Sequence, residues 1–288
     1  MSNRITRIWI ALLAIAALTL AGCDRNNATD PVSETDLSAT QDAAESMASA
    51  VGEETGGLTD QMGDVLTIAS DGGMDNLGKT DGFQQVSRTF DPATGTWTLT
   101  LERERGIVGG VPYAYIYRVY TYQFQDANGD PQMFYITNGD TARTILFDIV
   151  EGEGRHKTRR VSQQLHNLAG SFVLTNTHQP LVTINGSYER AAADTITTRN
   201  AVRTLENSLE FTVTDLVGPR GVRRDLAQAI SGTISGTYEA TITWTRGDAY
   251  RETTINRSFT IVLGDGTATI TIGGQSFVGD VESGELLD

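Results

Sequence analysis

The spacing of apolar residues changes from a helical period to a period of two near residue 83. Upstream, two stretches separated by the Gly56-Gly57 pair carry apolar residues three and four positions apart, as amphipathic helices do. Downstream, apolar residues alternate with threonine and other polar residues, as in segment 96–102, which is typical of antiparallel strands with one solvated face. The pattern predicts a helical hairpin and turn-rich linker over residues 33–82, followed by an antiparallel β domain over residues 83–288.

Turn-forming residues divide the β domain into sequential hairpins. Segments such as 91–95, Asn138-Gly139 and 264–266 lie between apolar runs and contain residues that tolerate positive φ. Consecutive hairpins of ordinary length give a meander of about ten strands. Two short helices cannot cover the apolar face of so many strands. The fold class that we predict is therefore mainly β, a large antiparallel meander forming a curled sheet or half-barrel, with a sandwich as the alternative.

The first 23 residues resemble the signal sequence of bacterial lipoproteins. Arg4 and Arg7 precede the apolar run Ile8–Leu20, which is too short to span a membrane, and a Leu-Ala-Gly-Cys lipobox ends at Cys23. The resemblance implies removal of a signal peptide of residues 1–22, a diacylglycerol thioether on Cys23, and an acyl chain such as palmitate on the new terminus. Residues 23–32 would then form a lipidated tether.

Charge and cysteine usage restrict the partners. The chain has 36 acidic and 22 basic residues, a net charge of −14, which excludes a nucleic-acid partner. Such a surface is repelled by anionic lipid head groups, so the acyl chains on Cys23 are expected to hold the protein at the membrane. We predict a location in the cell envelope, outside the cytoplasm, with the inner and outer membranes both open. The basic clusters at 155–160 and 220–224 are expected to be solvated loop or edge charges.

The richest aromatic segment runs from Tyr113 to Phe124. One face of a strand here would carry Tyr113, Tyr115 and Tyr117, and the other face would carry Tyr120, Tyr122 and Phe124. A β-bulge at Arg118-Val119 would return all six rings to one side. The five tyrosines are then candidate residues for binding a sugar or an apolar ligand on an aromatic platform. The alternative interpretation is cross-strand aromatic packing within the sheet.

Other motifs give weaker signals for chemistry. The spacing of Asp126, Asn128 and Asp130 matches the start of a calcium loop, but Pro131 and Thr137 stand where such a loop needs glycine and glutamate. We therefore predict a hairpin turn there. The three histidines, His156, His166 and His178, lack metal-ligand spacing, and no Gly-x-Ser-x-Gly elbow occurs. We expect no metal, no cofactor and no catalytic residue.

Two functions fit these observations. The first is a lipid-anchored cell-envelope protein with a non-enzymatic binding or structural role, which holds an apolar ligand in its curled sheet or binds an envelope protein partner. The alternative is a surface-anchored glycan hydrolase that uses paired carboxylates near the strand from Tyr113 to Phe124. Glu102, Glu104 and Asp148 are available for that role.

Overall fold

The computed structural model describes residues 34–72, 75, 77, 83–197, 201–221, 226–246 and 248–287. The chain divides into two compact units, residues 1–36 and residues 37–288. The second unit contains nearly all of the described residues and is called the body below. The predicted signal peptide (1–22), the lipidation site Cys23 and the tether (23–32) lie outside the described residues.

Within the described residues, two helices precede the sheet, as the helical spacing predicted. Helix α1 is Glu34–Val51 and helix α2 is Leu58–Ile68. The short segment between them contains the glycines at which the apolar pattern was interrupted. The described chain also contains α3, Leu226–Ala229, which lies inside the body.

One antiparallel meander of eleven strands dominates the body, which confirms the mainly-β class. The strands of the described chain are β1 Phe83–Asp91, β2 Thr96–Gly106, β3 Tyr113–Gln125, β4 Pro131–Gln132, β5 Ile136–Thr137, β6 Asp140–Thr141, β7 Thr144–Lys157, β8 Val161–Thr175, β9 Leu181–Thr197, β10 Val202–Pro219, β11 Ser231–Arg246, β12 Ala249–Gly264, β13 Thr267–Ile272 and β14 Gln275–Asp280. The meander runs β1-β2-β3-β7 and then in order to β14, β4 pairs with β3, and β5 pairs with β6. The sheet does not close into a barrel.

The sheet curls around the two helices. Every residue of α2 is buried, and a flat sheet could cover only one side of a helix. Asp60 of α2 bonds to Arg103 in β2, near one edge of the meander. Ala48 of α1 lies against Gly279 in β14, at the opposite edge. The concave face of the sheet is therefore occupied by the chain's own helices.

Aromatic rings fill the concave face between the helices and the strands. Tyr120 packs on Phe147 with ring centroids 4.9 Å apart, and Phe147 is 6.3 Å from Phe172. Further along the sheet, Tyr188 stacks on Phe211 at 4.5 Å. Burial of such rings contributes to the stability of the body together with the aliphatic side chains of the same core. The threonine-rich positions face solvent on the convex side, as the alternation predicted.

The register places the chain connections at two ends of the strands. We call these ends proximal and distal. The proximal end comprises the β2–β3 turn (106–112), the β7–β8 turn (158–160) and the first residues of β10. Strand pairing aligns these three segments along one row of neighbouring residues. At the distal end lie segments 92–95, 126–143 and 176–180. Helix α1 follows the proximal end, since Asp42 contacts Arg203 of β10 and Ser49 contacts His156 of β7.

Candidate functional site

The predicted bulge in the tyrosine segment is wrong. Strand β3 pairs with β2 without interruption, so an extra residue in β3 would break that ladder. The extra residue is Val150 of β7 instead, because Val119 pairs with Glu151 whereas Tyr120 pairs with Ile149. The six aromatic residues therefore stay divided between two faces and do not form one platform.

The two concave tyrosines of β3 belong to the core. Tyr120 is fully buried and its hydroxyl donates to Asp64 Oδ2 at 3.1 Å. Tyr122 is 1% exposed and packs beside Trp97 and Phe124. Burial raises the pKa of both phenols above the ordinary value. Neither ring is accessible to a ligand. Tyr120 and Tyr122 therefore pack against neighbouring rings within the sheet, which was the alternative to an aromatic binding platform.

The convex tyrosines form a small patch with charged neighbours. Tyr113 donates to Glu104 and Tyr115 donates to Glu102, each at 3.1 Å. The guanidinium of Arg155 lies 5.8 and 5.7 Å from the centroids of these two rings, within cation–π range. Of the three predicted carboxylates, Glu102 and Glu104 are thus hydrogen-bonded to tyrosines on the convex face of the sheet, and Asp148 of β7 is exposed.

A buried ion cluster joins α2 to β2, and sequence analysis missed it. Arg103 is fully buried and donates to both oxygens of Asp60, at 2.8 and 2.9 Å, and to Asp64 at 2.7 Å. The two aspartates are four residues apart and so share one helix face. Burial alone would lower the pKa of Arg103, but the charges of Asp60 and Asp64 outweigh it and the pKa is raised. Arg105 adds a contact to Asp60 at 2.5 Å.

A second buried cluster joins α1 to strands β8, β9 and β10. Asp194 accepts hydrogen bonds from Ser46 at 2.5 Å, from Gln163 at 2.6 Å and from Asn207 at 3.0 Å. Arg190 donates to Gln163 and extends the cluster. Burial raises the pKa of Asp194 although these bonds oppose the shift. The polar face of α1 therefore fits a polar site that the sheet provides.

Arg118 fixes the segment between the two helices. It is 2% exposed and donates to the carbonyl oxygens of Tyr117 at 2.7 Å, Glu153 at 2.6 Å and Gly56 at 3.0 Å. Gly56 has a φ of 73°, and a Cβ there would lie 2.7 Å from Ile116, so the position requires glycine. Burial lowers the pKa of Arg118. The turn between α1 and α2 is thus held against β3.

The burial of these arginines could have been predicted from their positions in the sequence pattern. Arg103, Arg118 and Arg190 each stand at the phase of their strand that otherwise carries apolar residues. A charged residue at such a position is buried and needs a partner, because an unpaired ion in the interior is strongly unfavourable. The partners, Asp60 and Asp64 among them, are distant in sequence, so the pattern could show the burial but not the pairing.

A cleft of about 220 Å³ opens beside the start of β3 at the proximal end. Its lining includes Tyr113, His156, Glu54 and Glu285. Burial, and then the charge of neighbouring Glu282, raises the pKa of Glu54. Burial would also raise the pKa of Glu285, but hydrogen bonds from Arg159 lower it below the ordinary value. The cleft therefore contains two carboxyl groups whose proton affinities are shifted in opposite directions.

A serine and a histidine meet beside this cleft. Ser49 Oγ and His156 Nε2 share a hydrogen bond of 2.5 Å. Burial, and then the charge of Arg190, lowers the pKa of His156 to about 3. Ser49 is fully buried. Such a histidine is a weak proton acceptor, and a buried hydroxyl cannot reach a substrate, so the pair is suited to holding α1 on the sheet rather than to nucleophilic catalysis.

The remaining predicted features lie apart from one another. The Asp126 carboxylate accepts from the backbone N–H of Asn128 at 2.7 Å and of Asp130 at 2.9 Å, so the segment is a self-capped hairpin turn. His166 lies at a bulge in β8, and His178 lies in the β8–β9 turn. Within the described ranges, no group of acidic, histidine or cysteine side chains is arranged to hold a metal ion. Across the same ranges, no helix has the length and apolarity that crossing a membrane requires.

No family model, no curated protein and no solved structure matches the chain.

The buried histidine predicts a pH dependence of stability. In the folded chain the pKa of His156 is about 3, whereas the ordinary value is 6.5. Between these values the unfolded chain binds a proton that the folded chain does not, so the free energy of unfolding falls as the pH falls. We expect the wild type to lose about 1 kcal/mol per pH unit relative to His156→Gln between pH 6 and pH 4. Urea unfolding at several pH values measures this difference.

His166→Gln is the matched control, because His166 is exposed. Its pH profile should follow that of the wild type. Equal pH slopes for the wild type and for His156→Gln would contradict the buried, neutral histidine.

Proposed function

We propose that the protein is a lipid-anchored component of the bacterial cell envelope with a non-enzymatic, structural or binding role. The non-enzymatic role through the surface is supported by one observation: α1 and α2 occupy the concave face of the sheet. A ligand carrier of this shape would keep that face open, since ligand sites are concave and mostly apolar. In this body the helices fill it, and ion clusters pair them to the strands. The body therefore acts through its surface.

The sequence of residues 1–23 supports the first half of the proposal. A basic start, a short apolar run and a lipobox ending at Cys23 occur together, and this cysteine is the single one in the chain. Two or three acyl chains give stable anchoring where a single chain gives only marginal binding. In this proposal Cys23 holds the body at the membrane and has no redox or catalytic task.

One mass measurement tests both halves. The full chain is expressed in a bacterium, extracted from the membrane fraction and analysed by native mass spectrometry with lipid extraction. We expect a polypeptide that begins at Cys23 and carries covalent acyl chains, without a stoichiometric non-covalent lipid, because the interior is filled by side chains. Cys23→Ser should lack the acyl mass.

Two results would oppose the proposal separately. A wild-type chain without acyl groups would contradict the anchoring. A co-purifying apolar molecule in a one-to-one ratio would contradict the filled interior and favour the carrier role that the curled sheet suggested.

A glycan hydrolase remains the second candidate, because of the carboxyl pair in the cleft. A raised pKa on Glu54 and a lowered one on Glu285 are what a general acid and its partner need. The cleft volume of about 220 Å³ is below the range of roughly 300–1,000 Å³ that is usual for ligand sites. Both oxygens of Glu285 also accept bonds from Arg159. The small cleft and the pairing of Glu285 with Arg159 make a hydrolase a weaker candidate than the non-enzymatic role.

Hydrolysis of purified peptidoglycan tests this candidate. We expect the wild-type chain to release no reducing ends, because Glu285 is committed to Arg159 and the cleft is small. Glu54→Gln and Glu104→Gln form the matched pair, since Glu104 lies on the convex face outside the cleft. Release of reducing ends that Glu54→Gln abolishes and Glu104→Gln retains would make the protein a hydrolase.

A further inference from the structure

The β2–β3 turn presents an apolar surface to solvent. Ile107, Val108 and Val111 are 79%, 68% and 47% exposed, and no charged residue occurs between positions 106 and 112. Gly106 and Gly109 have φ values of 77° and 79° and allow the turn to project beyond the sheet. Exposed β-branched residues at the tip of a turn contribute nothing to the core. A clustered patch of this kind marks a contact surface.

The charges around the turn differ from those at the distal end. Exposed Lys157 and Arg159 lie on the neighbouring β7 and β7–β8 turn, and Arg159 neutralises Glu285. The distal segments instead carry exposed or half-exposed aspartates, namely Asp91, Asp126, Asp130 and Asp140. The β2–β3 and β7–β8 turns contain no acidic residue, whereas aspartates outnumber the exposed Arg143 in the distal segments. Glu54 and Glu285 line the cleft beside Val111, together with Lys157 and Arg159. Anionic head groups therefore repel the distal turns more strongly than the two proximal turns.

The first residues of the body lie at its proximal end. The side chains of Ser38 and Asp42 contact Arg203, close to the first residue of β10. The ten residues 24–33 reach at most about 35 Å when fully extended. A strand as long as β11 spans about 50 Å. A tether anchored at Cys23 would therefore hold the proximal end closer to the bilayer than the distal end.

From these observations we propose that the β2–β3 turn inserts into the surface of the bilayer that anchors Cys23. Ile107 and Val108 would lie at the boundary between head groups and acyl chains, and Lys157 would face the lipid phosphates. This inference rests on the proposed lipid anchoring. The distal end also exposes apolar residues, such as Phe134 at 49%, but the aspartates around them oppose contact with a membrane surface.

Fluorescence quenching of the full lipidated chain in vesicles tests the insertion. Val108→Trp places a reporter on the exposed turn, and Leu181→Trp places one at the distal end, where Leu181 is 56% exposed. The vesicles contain phosphatidylcholine and phosphatidylglycerol, with or without bromine on the acyl chains. We expect Val108→Trp to lose most of its added emission in brominated vesicles, whereas Leu181→Trp loses none. Adding Ile107→Ser and Val111→Ser to the Val108→Trp chain should restore much of that emission.

Flotation of the same samples separates the two proposals. A chain that floats with the vesicles but shows no quenching at position 108 overturns the insertion and leaves the anchoring intact. A chain that does not float overturns both. A Val108→Trp emission that shifts to the blue with protein concentration, in the absence of vesicles, would place a second copy of the chain on the turn and would also overturn the insertion.

Discussion

The pairing of Arg103 with Asp60 and Asp64 is the constraint on which the rest of the body depends. Three ions buried together are stable only when each satisfies the others, because removal from water is unfavourable by several kcal/mol per ion. Arg103 stands on β2, and the aspartates stand on α2, so the pairing fixes the helix across the concave face. Tyr120 of β3 donates to the same Asp64 and extends the constraint to the next strand.

The curled shape of the sheet follows from that placement. Once α2 lies on β2 and β3, its other sides need cover, and the later strands provide it as the meander winds on. Helix α1 is fixed in the same way, through Ser46 on Asp194 and through Asp42 on Arg203. The meander stays open because the helices, rather than pairing between its edge strands, complete the core. The interior that results is filled, which is why we assign the function of the protein to its surface and to its attachment at the membrane.

Local patterns predicted the larger part of this fold. The change of period near residue 83, the turn residues and the two helical stretches gave the meander and the hairpin, because these features depend on residues close in sequence. The position of the bulge could not be predicted, since the ladder between β2 and β3 forces the extra residue into β7 at Val150. The ion clusters could not be predicted either. A basic residue at an apolar phase indicates burial, but its partner lies about forty residues away on another element.

The basic cluster at 155–160 was expected to be solvated charge, and its structure is mixed: Arg155 and Lys157 are exposed, whereas Arg160 reaches the buried Glu45. The proposed location at the membrane is inferred from the lipobox in the sequence alone.

The central claim is that the buried ion cluster holds the helices in the sheet, and the stability of Arg103→Met tests it most directly. Methionine replaces the aliphatic stem of arginine but removes the guanidinium that pairs with the buried Asp60 and Asp64, so the account predicts a loss of about 3–5 kcal/mol in the free energy of unfolding in urea. Arg88→Met is the matched control, because the Arg88–Asp75 pair is exposed and such pairs contribute at most about 1 kcal/mol. Adding Asp60→Asn and Asp64→Asn to Arg103→Met should recover part of the loss. Equal, small losses for Arg103→Met and Arg88→Met would contradict the account.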